Sequence, residues 1–194
     1  MIFCLANKND ALAVAQIHKS EIHKGFLSTL KLAFLKNLYL AIIESESSYC
    51  IIAKEKSTVV GFMSGVTDIN KLYSYFLKKY FFQSLVLISQ KFFSVSFLKK
   101  IFETLFYPVK EKKLPHAELL TMAVSNQFQG QGIAGKMFTE FISEMGKRNI
   151  KSFKVLVGEE LLPAINFYEK NRFSFLKNTT VHKGKSSRIY IYKL

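Results

Sequence analysis

The sequence predicts an α/β domain in which helices flank a sheet, because short apolar runs alternate with longer segments of helical periodicity along the whole chain. The chain has 194 residues, of which 49% are hydrophobic, so it can bury a full core without disulfides or metals. Neither an internal repeat nor a low-complexity linker interrupts it. We therefore expect a single domain over residues 1–194, with a helical insertion at about 68–113.

The N-terminal third predicts a strand, two helices and a hairpin. The elements expected there are a strand at 2–5, a helix after it, a second helix at 30–43, and strands at 49–53 and 59–67. Asn9 or Asp10 can cap the first helix, because each offers a side-chain oxygen to free backbone N–H groups. Residues 54–57 form a polar turn. Gly61 and Gly65 inside the last strand indicate bulges or a close approach of another backbone.

Residues 68–113 differ from the rest of the chain in composition. They predict long helices rich in Phe, Leu, Tyr and Lys, with Ser94 or Ser96 as a cap between two of them and Pro108 and Pro115 marking the end. Nine lysines minus three acidic residues give this segment a net charge of about +6. Packing against its own domain is the favoured interpretation, while a homodimer contact and peripheral contact with an anionic membrane stay open.

The C-terminal part predicts strands that alternate with two helices. The elements are a strand at 118–124, a helix after the loop that follows, a strand at 153–157, a helix at 163–171, and strands at 173–176 and 188–192. Pro163 suits the first turn of its helix. The helix after the loop is amphipathic, with Lys136, Glu140, Glu144 and Lys147 expected on its polar side.

The bulk properties restrict the class of protein. A net charge of +14 favours an anionic partner such as a phosphorylated cofactor, although the chain contains no recognisable nucleic-acid-binding motif. Cys4 and Cys50 are too few for a disulfide framework or a metal cluster, so both are expected as reduced packing residues. Polar residues break the aromatic stretch 80–93 well short of the roughly 20 apolar residues that a spanning helix needs. No export signal is evident at the N-terminus, and we expect a cytoplasmic protein.

One loop, NQFQGQGIAGKMF at 126–138, fits three phosphate-binding patterns. It reads as G-x-G-x-x-G of dinucleotide-binding proteins, as the G-x-x-x-x-G-K that opens a P-loop, and as Q-x-x-G-x-A. Glycines and free N–H groups at a helix N-terminus serve all three, so the context must distinguish them. Met137 stands where a P-loop needs a Ser or Thr hydroxyl for magnesium. Only about sixty residues follow the loop, too few for a complete dinucleotide fold, although Glu159 and Glu160 stand near the place of a ribose-binding acid.

Two segments in order resemble the GNAT superfamily of acetyl-CoA-dependent N-acetyltransferases. The stretch LLTMAVSNQFQGQGIA at 119–134 resembles the acyl-CoA motif, and PAINFYEKNRFSF at 163–175 resembles the second signature of that family. The order of the remaining elements also suits the family, so the resemblance covers most of the chain. It implies a mixed, mostly antiparallel central sheet with splayed parallel central strands, flanking helices and the insertion placed before the cofactor-binding strand.

The resemblance also implies a set of sites for acetyl-CoA as cosubstrate. The strand at 120–124 would pair with the pantetheine arm, with the N–H of Ala123 or Val124 stabilising the thioester oxyanion. The N–H groups of 129–134, helped by Gly135 and the helix dipole, would hold the pyrophosphate. The implied cofactor-binding residues are Met122, Ala123, Val124, Gln129, Gly130, Gln131, Gly132, Ile133, Ala134, Gly135, Lys136, Asn166 and Tyr168.

The implied reaction is direct attack of a primary amine on the thioester in a ternary complex. Tyr168 aligns with the tyrosine that protonates the departing CoA thiolate, and a phenol with a pKa near 10 can do so. Glu118 is the first candidate for the base that deprotonates the amine, and His116 is the second. His18 and His23 lie near the acceptor side, but their spacing and the absence of a carboxylate partner predict no metal site.

Two positions depart from the family pattern. Leu161 replaces an asparagine that contacts the CoA arm, and Arg172 replaces a glycine, which would cost about 1 kcal/mol in a left-handed turn. The lysine excess favours a small anionic acceptor, such as an amino sugar, a nucleotide-linked sugar or an amino acid derivative. A protein or peptide N-acetyltransferase and a non-catalytic CoA-binding module remain alternatives, and the sequence does not name the amine.

Overall fold

The strands of the protein form one mixed sheet. The computed structural model describes residues 1–24, 27–81, 83, 114–182 and 185–194. Its strands are β1 (Ile2–Leu5), β2 (Ser48–Glu55), β3 (Thr58–Val66), β4 (Glu118–Val124), β5 (Ser152–Gly158), β6 (Ser174–His182) and β7 (Lys185–Lys193). Their order in the sheet is β1-β2-β3-β4-β5-β7-β6. All neighbours are antiparallel except β4 and β5, which are parallel and central. The predicted fold class is therefore confirmed.

Helices cover both faces of the sheet. They are α1 (Ala11–Glu21), α2 (Leu32–Glu44), α3 (Ile69–Lys79), α4 (Ile133–Lys147) and α5 (Leu162–Lys170), with short 3-10 turns at Lys8–Asp10, Leu27–Thr29 and Asn126–Phe128. One buried cluster joins α1, α2 and α3 to one side of the sheet, and a second joins α4 and α5 to the other. Alternate residues of β2 belong to different clusters, Cys50 and Ile52 to the first and Ile51 to the second, as the two-residue period of a strand requires. We call these the acceptor face and the loop face.

The start of α1 differs from the expected cap. The Asn7 side chain accepts from the Asn9 N–H at 2.9 Å, and the Asp10 carboxylate accepts from the Asn7 N–H at 3.0 Å. The two bonds form a reciprocal capping box around the 3-10 turn that precedes the helix. Asn7 is therefore the capping residue, and Asp10 bonds backwards along the chain while pairing with Lys54 at 2.7 Å.

Three other details differ from the sequence-based expectations. The hairpin turn is shorter than 54–57, because β2 continues to Glu55 and Lys56 takes a φ of 56°. The last two strands are longer than predicted, because their polar residues pair along a hairpin edge. Glu144 is buried rather than exposed on α4, because the Arg148 guanidinium donates to its carboxylate at 2.9 Å and lies over the Tyr49 ring.

Arg172 occupies the strained position that its replacement of glycine predicts. Its φ is 65°, and it follows the last turn of α5. The Phe173 N–H donates to the Tyr168 carbonyl and the Arg172 N–H to the Glu169 carbonyl, which is the Schellman arrangement. The turn therefore forms with a non-glycine residue at a backbone cost of about 1 kcal/mol.

The predicted insertion 68–113 begins with a helix as expected. Asp68 caps α3 by accepting from the N–H groups of Asn70 and Lys71. Residues 84–113, including the proposed caps Ser94 and Ser96, lie outside the described part of the chain. No helix within the described residues is both long enough and apolar enough to cross a membrane.

Glu44 at the end of α2 fixes α3 to the body of the protein, and we expect this contact to make stability acid-sensitive. Its carboxylate, 7% exposed, accepts from Lys79 at 2.7 Å and Tyr75 at 3.2 Å, bonds to Tyr80 and pairs with Lys8 at 2.8 Å. Burial alone would raise its pKa, but these partners outweigh burial and lower the pKa from 4.5 to about 2.

A depressed folded-state pKa adds stability above pH 4.5, and this stability is lost as the pH falls towards 2. Glu44→Gln should therefore lower the free energy of unfolding by about 1–2 kcal/mol at neutral pH, less at high salt because the partners lie at the surface. The difference from wild type should shrink between pH 4.5 and 2 in urea titrations. Glu46→Gln, which removes an exposed charge two residues away, should have little effect on the free energy of unfolding. If Glu44→Gln lowers the free energy of unfolding by the same amount at every pH, the depressed pKa of Glu44 is not the cause.

Candidate active site

The parallel strands β4 and β5 separate after a short contact. Their pairing is confined to Glu118 with Lys154 and Leu119 with Val155, supported by a bond from the Lys154 N–H to the Ala117 carbonyl at 3.0 Å. Both strands continue beyond this point, β4 to Val124 and β5 to Gly158, without further pairing to each other. The sheet therefore contains a V-shaped gap that opens towards the carboxyl ends of its two parallel strands.

A bulge in β4 changes the face of the sheet on which the side chains beyond it lie, beside this gap. Ser64 lies opposite Thr121 and Gly65 opposite Leu119, so Leu120 is an extra residue in β4. As a result, Leu119 and Met122, three residues apart, both pack on the loop face. Without the extra residue they would face opposite sides of the sheet.

The peptide groups of Met122 and Val124 face the gap. The Ser125 N–H donates to the Val60 carbonyl of β3 at 2.8 Å. Successive peptide groups of an antiparallel strand point alternately to its two neighbours, so those of Ala123 also point to β3. In agreement, a Cβ added to Gly61 of β3 would lie 3.2 Å from the Ala123 carbonyl oxygen. Of the two N–H groups considered for the oxyanion, that of Val124 is the one directed into the gap.

The loop after β4 ends in a glycine-rich helix start. Gly130 and Gly132 have φ of 74° and 76°, and Gly132 precedes α4 without a side-chain cap. Within the described part of the chain, the first bond of the helix is from the Lys136 N–H to the Gly132 carbonyl, so the N–H groups of 133–135 are left without a helical partner. A Cβ at Gly130, Gly132 or Gly135 would meet no atom within 4 Å. The backbone there is open to an anion of pyrophosphate size.

The side chains around this loop are exposed, and one of them holds the loop to β4. The Gln129 amide donates to the Val124 carbonyl at 2.9 Å, while the Gln131 amide donates only within the loop, to Gln127. Lys136 lies on the exposed side of the first turn of α4, and Asn166 is exposed on α5. Ile133 is buried, so its contribution is limited to the backbone.

Tyr168 lies in the buried loop-face cluster. It is 5% exposed, and its ring lies 5.1 Å from that of Phe173 and 6.3 Å from that of Tyr190. Burial raises the pKa of Tyr168 above its ordinary value of 10, so the phenol keeps its proton through the neutral range. Its hydroxyl has no hydrogen-bond partner among the described residues.

Glu118 lies on the acceptor face where β4 and β5 meet. Its side chain is 14% exposed, and its carboxylate lies 3.5 Å from the Lys154 ammonium, which also donates to the Pro115 carbonyl at 2.6 Å. Burial raises the pKa of Glu118, and Lys154 partly opposes this. The other base candidate, His116, is exposed. The sequence analysis did not identify Lys154 as a partner of Glu118. The available signal was the presence of a lysine inside the otherwise apolar strand 153–157.

His18 is a buried side chain of α1 on the acceptor face. It is 2% exposed, and its Nδ1 lies 2.6 Å from the Tyr39 hydroxyl. Burial, with a smaller effect of Lys19, lowers its pKa to about 4, so the imidazole is neutral. Among the described residues, no group of three or more His, Cys, Asp or Glu side chains is placed to hold a metal.

The comparison with known families identifies the chain. The sequence model of the acetyltransferase (GNAT) family matches residues 13–173, which is most of the chain. The protein belongs to the GNAT family. No curated protein matches it in sequence. As a GNAT acetyltransferase it uses acetyl-CoA as acyl donor, and the resemblance inferred from its two motifs is confirmed.

Solved structures show the same GNAT fold at low sequence identity. Ard1 from Thermoplasma volcanium is 15% identical with a TM-score of 0.62 and covers 100% of this chain and 97% of its own. The ribosomal-protein-alanine N-acetyltransferase from Brucella melitensis is 14% identical with a TM-score of 0.63, and the PaiA N-acetyltransferase from Thermoplasma acidophilum, solved with coenzyme A, is 14% identical with a TM-score of 0.62. Both cover 100% of each chain. At this identity the likeness establishes the fold and leaves the acceptor open.

Proposed function

We propose that the protein transfers an acetyl group to a primary amine of a small acceptor that carries a negative charge. The observation that supports transfer is the V-shaped gap between β4 and β5, bordered by the N–H groups of Met122 and Val124 and followed by the open glycine loop. When bound, acetyl-CoA supplies the activated thioester. The loop N–H groups and the α4 dipole suit its pyrophosphate, and the gap suits its extended arm.

The side chains on the two faces of the sheet support a mechanism in which different residues carry out the two proton transfers. The Val124 N–H would stabilise negative charge on the thioester oxygen during attack. On the acceptor face, Glu118 would take the proton of the incoming amine, because a carboxylate with a raised pKa is a better base than an ordinary one. On the loop face, Tyr168 would give its proton to the departing thiolate.

The charge of the acceptor side supports an anionic acceptor. Within the described segments 18–24, 27–40 and 68–79, seven lysines minus two acidic residues give a net charge of +5. Lys19 is held by the carbonyls of Ser28 and Leu30, and Lys79 by Glu44. The other five lysines of these segments are exposed: Lys24, Lys31, Lys36, Lys71 and Lys78. This excess would repel a polyamine and attract a phosphate or carboxylate group.

The proposal is tested by binding first and by turnover second. Calorimetry should detect acetyl-CoA, and thiol release should then be measured with amino sugars, nucleotide-linked amino sugars, amino acids, peptides and polyamines. Turnover that is highest with anionic small amines supports the proposal, and a preference for polyamines would contradict it. Peptides are included because one structural neighbour is named a ribosomal-protein-alanine N-acetyltransferase. Binding without turnover on any amine would favour a non-catalytic CoA-binding module.

Gln129 should strengthen acetyl-CoA binding by tying the loop to β4. Gln129→Leu removes the bond to the Val124 carbonyl, and a hydrogen bond of this kind is worth about 1 kcal/mol, so we expect a roughly fivefold loss of acetyl-CoA affinity. The exposed position should leave thermal stability nearly unchanged. Gln131→Leu is the matched control: it keeps the backbone N–H proposed to face the pyrophosphate and removes only an amide that donates to Gln127, so it should change the affinity less than twofold. Equal losses in the two variants would contradict this role.

A further inference from the structure

A series of contacting polar groups crosses the apolar core of the acceptor face and ends at the β4 bulge. His18 of α1 contacts the Tyr39 hydroxyl of α2 at 2.6 Å, and the Thr121 side chain also interacts with that hydroxyl. The Ser64 hydroxyl of β3 donates to the Thr121 carbonyl at 3.2 Å. Thr121 follows the extra residue Leu120, so polar contacts from two elements converge on the bulge.

This series of polar groups includes a buried polar atom that has no partner among the described residues. His18 is 2% exposed and stacks on Phe62 at 6.4 Å, and its Nε2 has no hydrogen-bond partner among the described residues. A buried nitrogen without a partner destabilises the folded state, whereas an apolar side chain would pack at the same place without that penalty. Stability alone therefore does not account for a histidine here.

The bulge determines which N–H groups of β4 face the gap. A strand that resumed regular pairing with β3 would shift by one residue, and each peptide group beyond the bulge would then point to the opposite neighbour. The N–H groups of Met122 and Val124 would point to β3 instead of into the gap. Any contact that fixes the bulge therefore also fixes the donor expected to face the thioester oxygen.

We propose that His18, Tyr39 and Thr121 are positioning residues that hold the β4 bulge in register and so direct the Val124 N–H at the acetyl carbonyl. The inference rests on the proposed function. It assigns these residues no proton transfer. His18 contacts the Tyr39 hydroxyl, that hydroxyl interacts with the Thr121 side chain, and the Thr121 carbonyl accepts from the Ser64 hydroxyl at the point where the strand changes direction.

The test uses the preference for acetyl-CoA over free CoA, which requires no knowledge of the amine. A correctly directed Val124 N–H contacts the acetyl carbonyl, which free CoA lacks. Thr121→Val keeps the volume of the side chain and removes its hydroxyl, whereas Thr121→Ser keeps the hydroxyl. We expect Thr121→Val and Tyr39→Phe to reduce the ratio of the CoA to acetyl-CoA dissociation constants at least threefold, and to lower kcat at least tenfold with any active amine. Thr121→Ser should stay within twofold of wild type in both measurements.

Tyr49→Phe is the matched control for loss of a buried tyrosine hydroxyl. The Tyr49 ring packs beside Gly65 of β3, but its hydroxyl donates to the Phe141 carbonyl at 2.9 Å in the loop-face cluster, on the opposite face of the sheet from the His18–Tyr39 contact. It should lower the melting temperature without changing the binding ratio or kcat. If Thr121→Val matches Thr121→Ser, the positioning role is wrong even when Tyr39→Phe fails to fold. If all variants bind acetyl-CoA with an unchanged ratio of the CoA to acetyl-CoA dissociation constants, only this inference is overturned. If the wild-type protein binds neither acetyl-CoA nor free CoA, the proposed function is overturned as well.

Discussion

Tyr168→Phe is expected to lower kcat about 100-fold while leaving acetyl-CoA affinity within twofold. Phe fills the same buried space, and the hydroxyl that it lacks has no recorded partner among the described residues, so folding should change little. The lost group is the proposed proton donor to the thiolate, and a positioned general acid typically contributes 10²–10⁴ in rate. Steady-state thiol release, with calorimetry for acetyl-CoA, separates the two effects.

Tyr190→Phe is the matched control for this substitution. Tyr190 is 1% exposed, its ring lies 6.3 Å from that of Tyr168, and its hydroxyl donates to the Glu169 carboxylate at 2.9 Å. Loss of that bond should lower the free energy of unfolding by about 1 kcal/mol and leave kcat near the wild-type value. If both variants lose activity equally, Tyr168 acts through packing and not as a proton donor. Its raised pKa also predicts no loss of rate from Tyr168 ionisation below pH 10.

The sequence predicted the fold well wherever one face of an element is apolar. The strands β1 and β4 have the predicted bounds, and the helices predicted at 30–43 and 163–171 occur with ends shifted by one or two positions. The helices predicted beyond α3 in the insertion lie outside the described residues. The loop could be predicted because its glycines and the missing hydroxyl at Met137 are local features. Its backbone is open at Gly130 and Gly132, and its role in holding the pyrophosphate stays a prediction.

The remaining features depend on partners that are distant in sequence. Gly65 indicated a bulge, but the register that places the extra residue at Leu120 depends on pairing between strands more than fifty positions apart. The polar side of the helical pattern predicts an exposed Glu144, whereas the ion pair with Arg148 stabilises this carboxylate in a buried position. The direction of the Ala123 and Val124 N–H groups follows from the same bulge, and sequence periodicity does not contain that information.

Glu118→Gln is expected to lower kcat/KM for the amine about 100-fold and to remove the rise of the rate with pH. The carboxylate acts as a base only when ionised, so the wild-type rate should rise as the pH passes through its raised pKa and then level off. Glutamine keeps an oxygen for the Lys154 ammonium, so the buried lysine is not left without a partner. His116→Gln, at an exposed position two residues earlier, should leave the profile unchanged; loss of the rise in that variant would assign the base to His116 instead.

Lys154→Met distinguishes a catalytic carboxylate from one that only completes an ion pair. Removal of the ammonium leaves burial unopposed, so the pKa of Glu118 should increase further and the rise in kcat/KM should move towards alkaline pH. Activity should then be lost below the new pKa and regained above it, because the base itself is still present. A structural ion pair predicts a different result, namely a rate reduced by the same factor at every pH. Since Glu118→Gln abolishes the rise and Lys154→Met displaces it, the two profiles together determine whether Glu118 takes the proton of the amine.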